Sequence, residues 1–268
     1  MPDIRLHIDD SGGDGRPVVL IHGWPLSAES WDEQAEALAA AGHRVVTYDR
    51  RGFGRSDKPD SGYDYDTLAA DLDDVLTELD LRDVALVGFS MGGGEVARYV
   101  SAYGQDRLRS VVFAAAVPPF LLQSDDNPDG PLTDDARQQM REGLEADREG
   151  FLDEFTTGFF STAEGLQVTE EQRQQALALA LQSSQAAALA AMDAWATTDF
   201  RDDLGAISVP TLVIHGDGDQ TVPFEGSGAR THAAIEGSEL HVVEGAPHGL
   251  NVSHAEEFNA ALLDFLSR

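Results

Sequence analysis

The chain of 268 residues contains no cysteine, so neither a disulfide framework nor thiol chemistry is open to it. Basic residues are scarce: 18 stand against 48 acidic ones, the formal charge is −30, and Lys58 is the one lysine. A field of that sign repels phosphate backbones and anionic lipid surfaces, which removes nucleic acid and membrane from the partners to consider. Long apolar runs are missing too. No stretch approaches the roughly 20 residues of a membrane span, and Met1-Pro2-Asp3-Ile4-Arg5 opens without a basic start leading into an apolar segment. The expectation is a cytoplasmic protein.

What is present suffices for one large core, since 42% of the residues are apolar and α/β domains commonly reach this length as one unit. Strand-like runs at Val18–Ile21, Arg44–Tyr48, Val84–Gly88 and Ser110–Ala116 alternate with helical periodicity near Ser30–Ala41, Tyr65–Leu79 and 91–103. That rhythm predicts a mostly parallel sheet flanked by helices on both faces. From Pro118 to Thr198 it stops, and helical segments follow one another at Asp134–Asp147, Gly150–Phe159, Glu170–Gln182 and Gln185–Ala196. It resumes with strands at Pro210–Ile214 and Glu239–Val243 and ends in a helix at Ser253–Leu266. The expected organisation is a core of residues 1–117 and 199–268 interrupted by a helical cap of residues 118–198. Sites in such sheets lie at the carboxyl ends of the strands, so the cap would cover the site.

Gly88-Phe89-Ser90-Met91-Gly92 stands between the apolar run Val84-Ala85-Leu86-Val87 and a helical stretch. Strand, sharp turn and helix is the setting that turns the serine of a GxSxG pattern into a nucleophile, which makes Ser90 the candidate. A serine hydroxyl needs a base held in place by a third group. Downstream, the strand ending at Ile214 runs into His215-Gly216-Asp217-Gly218-Asp219, and Glu244-Gly245-Ala246-Pro247-His248-Gly249 follows the next strand. His248 is the candidate base. Asp217 and Asp219 both stand where an acid would, and spacing favours Asp219; as simple turn formers, both would fit a glycine-rich loop equally well. The oxyanion donors would be the backbone N–H of Met91, next to the nucleophile, and that of Trp24 in His22-Gly23-Trp24-Pro25, since Pro25 has none.

Other features carry less. His22 reads as packing and hydrogen-bonding beneath the loop it begins, while His7, His43, His232, His241 and His254 have no motif around them. Asp217-Gly218-Asp219 looks like the start of a calcium loop, but Gly228 stands where the closing glutamate belongs, so no metal site is expected. Gly52-Phe53-Gly54 lacks the third glycine of a dinucleotide fingerprint, and no phosphate-cradling loop is found. Phe155 and Phe159, four apart on one helical face, and Trp195 are candidates for a pocket wall, or else they pack the cap onto the body.

His22-Gly23-Trp24, Asp49-Arg50-Arg51-Gly52-Phe53-Gly54-Arg55-Ser56, Gly88-Phe89-Ser90-Met91-Gly92-Gly93-Gly94, His215-Gly216-Asp217-Gly218-Asp219 and Ala246-Pro247-His248-Gly249 together resemble a known family. It is that of the α/β-hydrolases called bacterial arylesterases and cofactor-free haloperoxidases, or perhydrolases. The resemblance implies the α/β-hydrolase fold, no cofactor, and a triad of Ser90, Asp219 and His248 with oxyanion donors Trp24 and Met91. It implies substrate contacts from Trp24, Pro25, Leu121, Phe155, Phe159, Trp195 and Val222, and loop-holding roles for Asp49 and Arg51. The activity implied is hydrolysis of short-chain or aryl esters through an acyl-enzyme, with a peracid formed when hydrogen peroxide replaces water. Relatives of the perhydrolytic kind carry proline after the tryptophan, so Pro25 would aim the Trp24 carbonyl at the incoming peroxide. A homo-oligomer is implied as well. Members usually carry an extra stretch before the segment matching Ile4–Ser11, which would leave this sheet with an edge needing charge or pairing. A carboxylate in place of Ser90 would be needed for a dehalogenase or epoxide hydrolase, whereas lactam and carbon–carbon bond hydrolysis, or plain ligand binding, use the same scaffold.

The acids are spread along the chain rather than gathered in a block, as in the surfaces of salt-adapted proteins. Their repulsion is screened over about 10 Å at 0.1 M salt and about 3 Å at 1 M. Thermal melts in rising KCl should therefore show Tm climbing by several degrees over that range, and a flat profile would remove self-repulsion as a factor in stability.

Overall fold

The computed structural model describes residues 4–268. Strand β1 (His7–Asp10) is followed by β2 (Pro17–Ile21), helix α1 (Asp32–Ala40), β3 (Arg44–Asp49), α2 (Tyr65–Glu78), β4 (Val84–Phe89), α3 (Met91–Tyr103) and β5 (Leu108–Ala114). Then come α4 (Asp134–Ala146), α5 (Arg148–Phe159), a small hairpin of β6 (Ser161–Thr162) and β7 (Gly165–Leu166), α6 (Glu170–Ala180) and α7 (Gln185–Thr197). The chain closes with α8 (Arg201–Leu204), β8 (Thr211–Gly216), α9 (Gly228–Ala234), β9 (Glu239–Val243), α10 (Leu250–Ser253) and α11 (Ala255–Leu266).

Seven strands form one sheet in the order β1-β3-β2-β4-β5-β8-β9, parallel except for β1, which pairs antiparallel with β3. The central strand β4 is buried at every position, and β2 is buried at all but its first. Such unbroken apolar runs are what a parallel sheet covered on both faces demands. Helix α1 packs with α11, while α2, α3, α8 and α9 pack in succession. Strand β1 had no helical or apolar periodicity to reveal it. It is a short, half-polar edge whose Asp9 and Asp10 are exposed, a composition that discourages pairing with another molecule.

Three of the helices between β5 and β8 begin at well-formed caps. Thr133 and Ser184 accept from the backbone of α4 and α7, and Thr169 forms a reciprocal capping box with Gln172 at α6. Helix α7 is largely alanine, and its buried Ala187, Ala188 and Ala191 let it lie close to the core loops. None of the described helices is long and apolar enough to cross a membrane.

The turn from β4 into α3 depends on close approach of backbones. A Cβ on Gly88 would stand 2.5 Å from the Gly92 carbonyl oxygen, and one on Gly92 would stand 2.5 Å from that of Ile21. Backbone cannot swing aside as a side-chain tip can. Gly88→Ala should therefore cost about 1–3 kcal/mol in denaturant unfolding, and an unchanged midpoint would show the turn to be looser than its contacts indicate.

Candidate active site

The end of β4 presents Ser90 with φ 52° and ψ −117°, a region a residue with a side chain enters only when its surroundings enforce it. Enforcement comes from the neighbouring strand. The Ser90 N–H donates to the Ala114 carbonyl at 2.9 Å, and the Ser90 carbonyl accepts from Gly93 N–H at 3.1 Å and Val117 N–H at 3.2 Å. So fixed, the hydroxyl lies 2.9 Å from Nε2 of His248, in the loop after β9.

His248 Nδ1 is 2.6 Å from Oδ2 of Asp219, in the loop after β8. Burial alone would raise the Asp219 pKa, but the electrostatic influence of His248 and hydrogen bonds from His215 and His248 hold it well below the usual carboxylate range. An ionised carboxylate only accepts, so Nδ1 of His248 carries the proton, and Nε2 offers its lone pair to the Ser90 hydroxyl. The other oxygen of Asp219 accepts from Thr221 N–H and Val222 N–H, each at 2.8 Å. Asp217 is exposed and does a different job, accepting from Gly245 N–H at 2.5 Å and so tying the acid loop to the histidine loop.

The turn after β2 passes directly over Ser90. A Cβ on Gly23 would meet the Phe89 ring at 2.7 Å and the Ser90 Cβ at 3.1 Å. Next to it, Trp24 N–H has no hydrogen-bond acceptor among the described residues, and neither has Met91 N–H at the start of α3. The Trp24 indole is anchored by Nε1–H donating to the Ala188 carbonyl at 2.9 Å.

Beside Ser90 lies a chamber of about 10 Å³ lined by Trp24, Val117, Phe155, Trp195, Thr221 and Val222. It holds little more than one water-sized group. A wider cavity of about 410 Å³ shares Phe155, Trp195 and Thr221 with it and is otherwise walled mainly by apolar groups, Leu121 included, with Glu154 as its one charged side chain among the described residues. Of the substrate contacts expected from the sequence, Trp24, Phe155, Trp195 and Val222 meet at the chamber and Leu121 at the wider cavity. Pro25 is buried in the turn and lines neither. Phe159 lines neither because its ring is taken up against His248, edge to face at 4.8 Å between centroids. A further cavity of about 480 Å³ lies on the far side of Phe159, bounded by Leu26, Glu29 and Gln175 among others, and touches no member of the Ser90 group.

Sequence reasoning passed over three contributors. His215 Nε2 donates to the Val222 carbonyl at 2.8 Å and stands 3.2 Å from Asp219, bracing the acid from below. Arg50 and Glu95 form a pair that is entirely buried beneath the site. A charged residue one turn into the apolar face of α3 was the available signal for Glu95. His22, expected beneath its loop, accepts Arg50 N–H on Nε2 at 2.9 Å and has Nδ1 2.9 Å from the Gly23 carbonyl. Asp49 and Arg51 hold loops, through Ala28 N–H and Arg55 for the first and Asp71 for the second. No cluster of three or more histidine or carboxylate groups placed to hold a metal ion occurs among the described residues.

Residues 16–255 match the family model described as alpha/beta hydrolase fold. The chain is similar to a non-heme chloroperoxidase of Kitasatospora aureofaciens, with 44% identity over 96% of this chain and 94% of the relative. It is also similar to a bifunctional esterase/perhydrolase of Acinetobacter calcoaceticus, with 36% identity over 98% of this chain and 96% of the relative. A crystal structure of bromoperoxidase from Bacillus anthracis superposes with a TM-score of 0.97 at 53% identity, covering 99% of this chain and 96% of that one.

Burial, together with the charge of Arg50, lowers the His22 pKa from 6.5 to about 3. The unfolded chain therefore binds a proton that the folded one refuses, and stability is lost as pH falls from 6.5 towards 3. Denaturant midpoints measured against pH should drop across that range, and His22→Gln should flatten the drop; an unaltered profile in the variant would show that other groups dominate.

Proposed function

Because the chain belongs to the alpha/beta hydrolase fold family, we propose that it is a serine hydrolase of short-chain or aryl carboxylic esters that also transfers its acyl group to hydrogen peroxide. The observation that carries this reading is the unbroken chain from Ser90 Oγ through His248 to Asp219, at 2.9 and 2.6 Å, beside two unpartnered backbone N–H groups.

In this reading His248 Nε2 takes the Ser90 proton as Oγ attacks the ester carbonyl, and the imidazolium is steadied by ionised Asp219. The N–H groups of Trp24 and Met91 receive the oxyanion. Collapse expels the alcohol, which takes the proton back from His248, and leaves an acyl-enzyme on Ser90. Water activated by His248 then releases the acid. With hydrogen peroxide as acceptor the same step releases a peracid, and a peracid oxidises halide in solution. The chamber beside Ser90 suits a small acyl group and the wider apolar cavity an aryl or other apolar alcohol. Helices α4 to α7 act as the cap that shapes both. The family resemblance and the perhydrolase relative support the peroxide branch, in which Pro25 shapes the turn carrying Trp24.

The test is p-nitrophenyl acetate turnover in high salt, with and without hydrogen peroxide, reading nitrophenol and peracid together. Ser90→Ala should abolish both products, and Asp219→Asn should lower kcat by about 10⁴-fold through the wrong imidazole tautomer. Turnover that persists in Ser90→Ala would sink the serine mechanism, and absence of turnover in the parent chain would redirect the search to lactams or carbon–carbon substrates.

A further inference from the structure

We propose that the buried Arg50–Glu95 pair is a positioning device that sets the distance between the two oxyanion donors, Trp24 N–H and Met91 N–H. The inference rests on the oxyanion reading given above and adds to it the part that holds the donors in register.

One guanidinium links two segments that are far apart in sequence, the turn after β2 and helix α3. Its Nε donates to Oε1 of Glu95, one helical turn beyond Met91 on α3. Its Nη2 donates to the His22 carbonyl at 2.6 Å, two residues before Trp24. The Arg50 backbone N–H holds the His22 ring through Nε2 at 2.9 Å, which leaves Nδ1–H to donate to the Gly23 carbonyl at 2.9 Å. Glu95 is fixed from its other oxygen by the Tyr48 hydroxyl at 2.8 Å, and the Tyr65 hydroxyl donates to the Met91 carbonyl at 3.1 Å. Arg50 and Glu95 are each 1% exposed or less. Isolating an ion pair from water is a poor way to gain stability, since apolar replacements of similar volume often do as well. What an apolar pair cannot do is grip a carbonyl of one segment and a helix of the other in a fixed fork geometry. The grip sits where small displacements matter: a shift of about 1 Å in catalytic groups can cost on the order of 100-fold in rate.

Arg50→Met alone strands a buried carboxylate, so a loss of activity there would not separate unfolding from mispositioning. Arg50→Met/Glu95→Gln removes both charges and keeps an acceptor for Tyr48, so it is the variant to measure. With p-nitrophenyl acetate, kcat should fall by about 10- to 100-fold while KM changes less than about threefold, the pattern of an interaction made only in the transition state. The inhibition constant of phenylboronic acid, whose tetrahedral adduct places an oxygen between the two donors, should weaken in parallel, with Tm near that of the parent. A cooperatively melting double variant with parental kcat and parental boronate affinity would overturn the proposal. Should the double variant not melt cooperatively, Glu95→Gln decides on the same two readouts, with a smaller fall in each expected because Arg50 retains the His22 carbonyl. If the parent chain shows no Ser90-dependent turnover, it is the hydrolase reading that has failed, an outcome distinct from an active, insensitive double variant.

Discussion

A seryl residue does not rest at φ 52° and ψ −117° unaided. Here its N–H is committed to β5 and its carbonyl to the first turn of α3 and to Val117, so the strained conformation is held by three hydrogen bonds. The consequence spreads outward. Because the Ser90 backbone is locked, its Cα–Cβ bond has one direction, His248 stands within hydrogen-bond reach of the hydroxyl, and Met91 N–H is left at the open end of a helix with no acceptor among the described residues. Every neighbouring loop is then fitted around that fixed point, with Gly88 and Gly92 supplying the clearance between strand, helix and turn.

The helical insertion takes part in this fitting. Helix α7 receives the Trp24 indole N–H on the Ala188 carbonyl, and Ser184 N–H before it donates to the Gly52 carbonyl of the loop after β3. At the opposite side, Phe159 at the end of α5 accepts Gly249 N–H beside His248 and lays its ring against the imidazole. The insertion thus buttresses the turn bearing Trp24 and the loop bearing His248 while walling the cavity between them.

Carboxylates are treated in two opposite ways in the same molecule. Most of the 48 acidic residues contribute to a field that water and salt must screen. Asp219 is buried, and its charge is met by two backbone N–H groups, His215 and His248. Glu95 is also buried, but there burial prevails and raises its pKa in spite of Arg50 and the Tyr48 hydroxyl. Ionisation is thus favoured at the group that orients the histidine, and made costly at the one that spans two structural segments.

The amino-acid sequence by itself determined the alternation of strand and helix, the helical stretch between β5 and β8, and the positions of Ser90, Asp219 and His248. Each is announced locally, by unbroken apolar runs, by helical periodicity, by glycines at a turn, or by a strand end followed by a polar loop, and such signals extend over at most about 18 residues. Short pieces without periodicity, β1 and α9 among them, escaped because pairing and packing sustain them rather than propensity. Only the tertiary structure decided that Asp217 ties the acid loop to the histidine loop, that Phe159 braces the imidazole instead of lining the chamber, and that Arg50 reaches Glu95 across 45 residues of chain. Those choices turn on distances between segments brought together by the fold, and a spacing along the chain carries no measure of them.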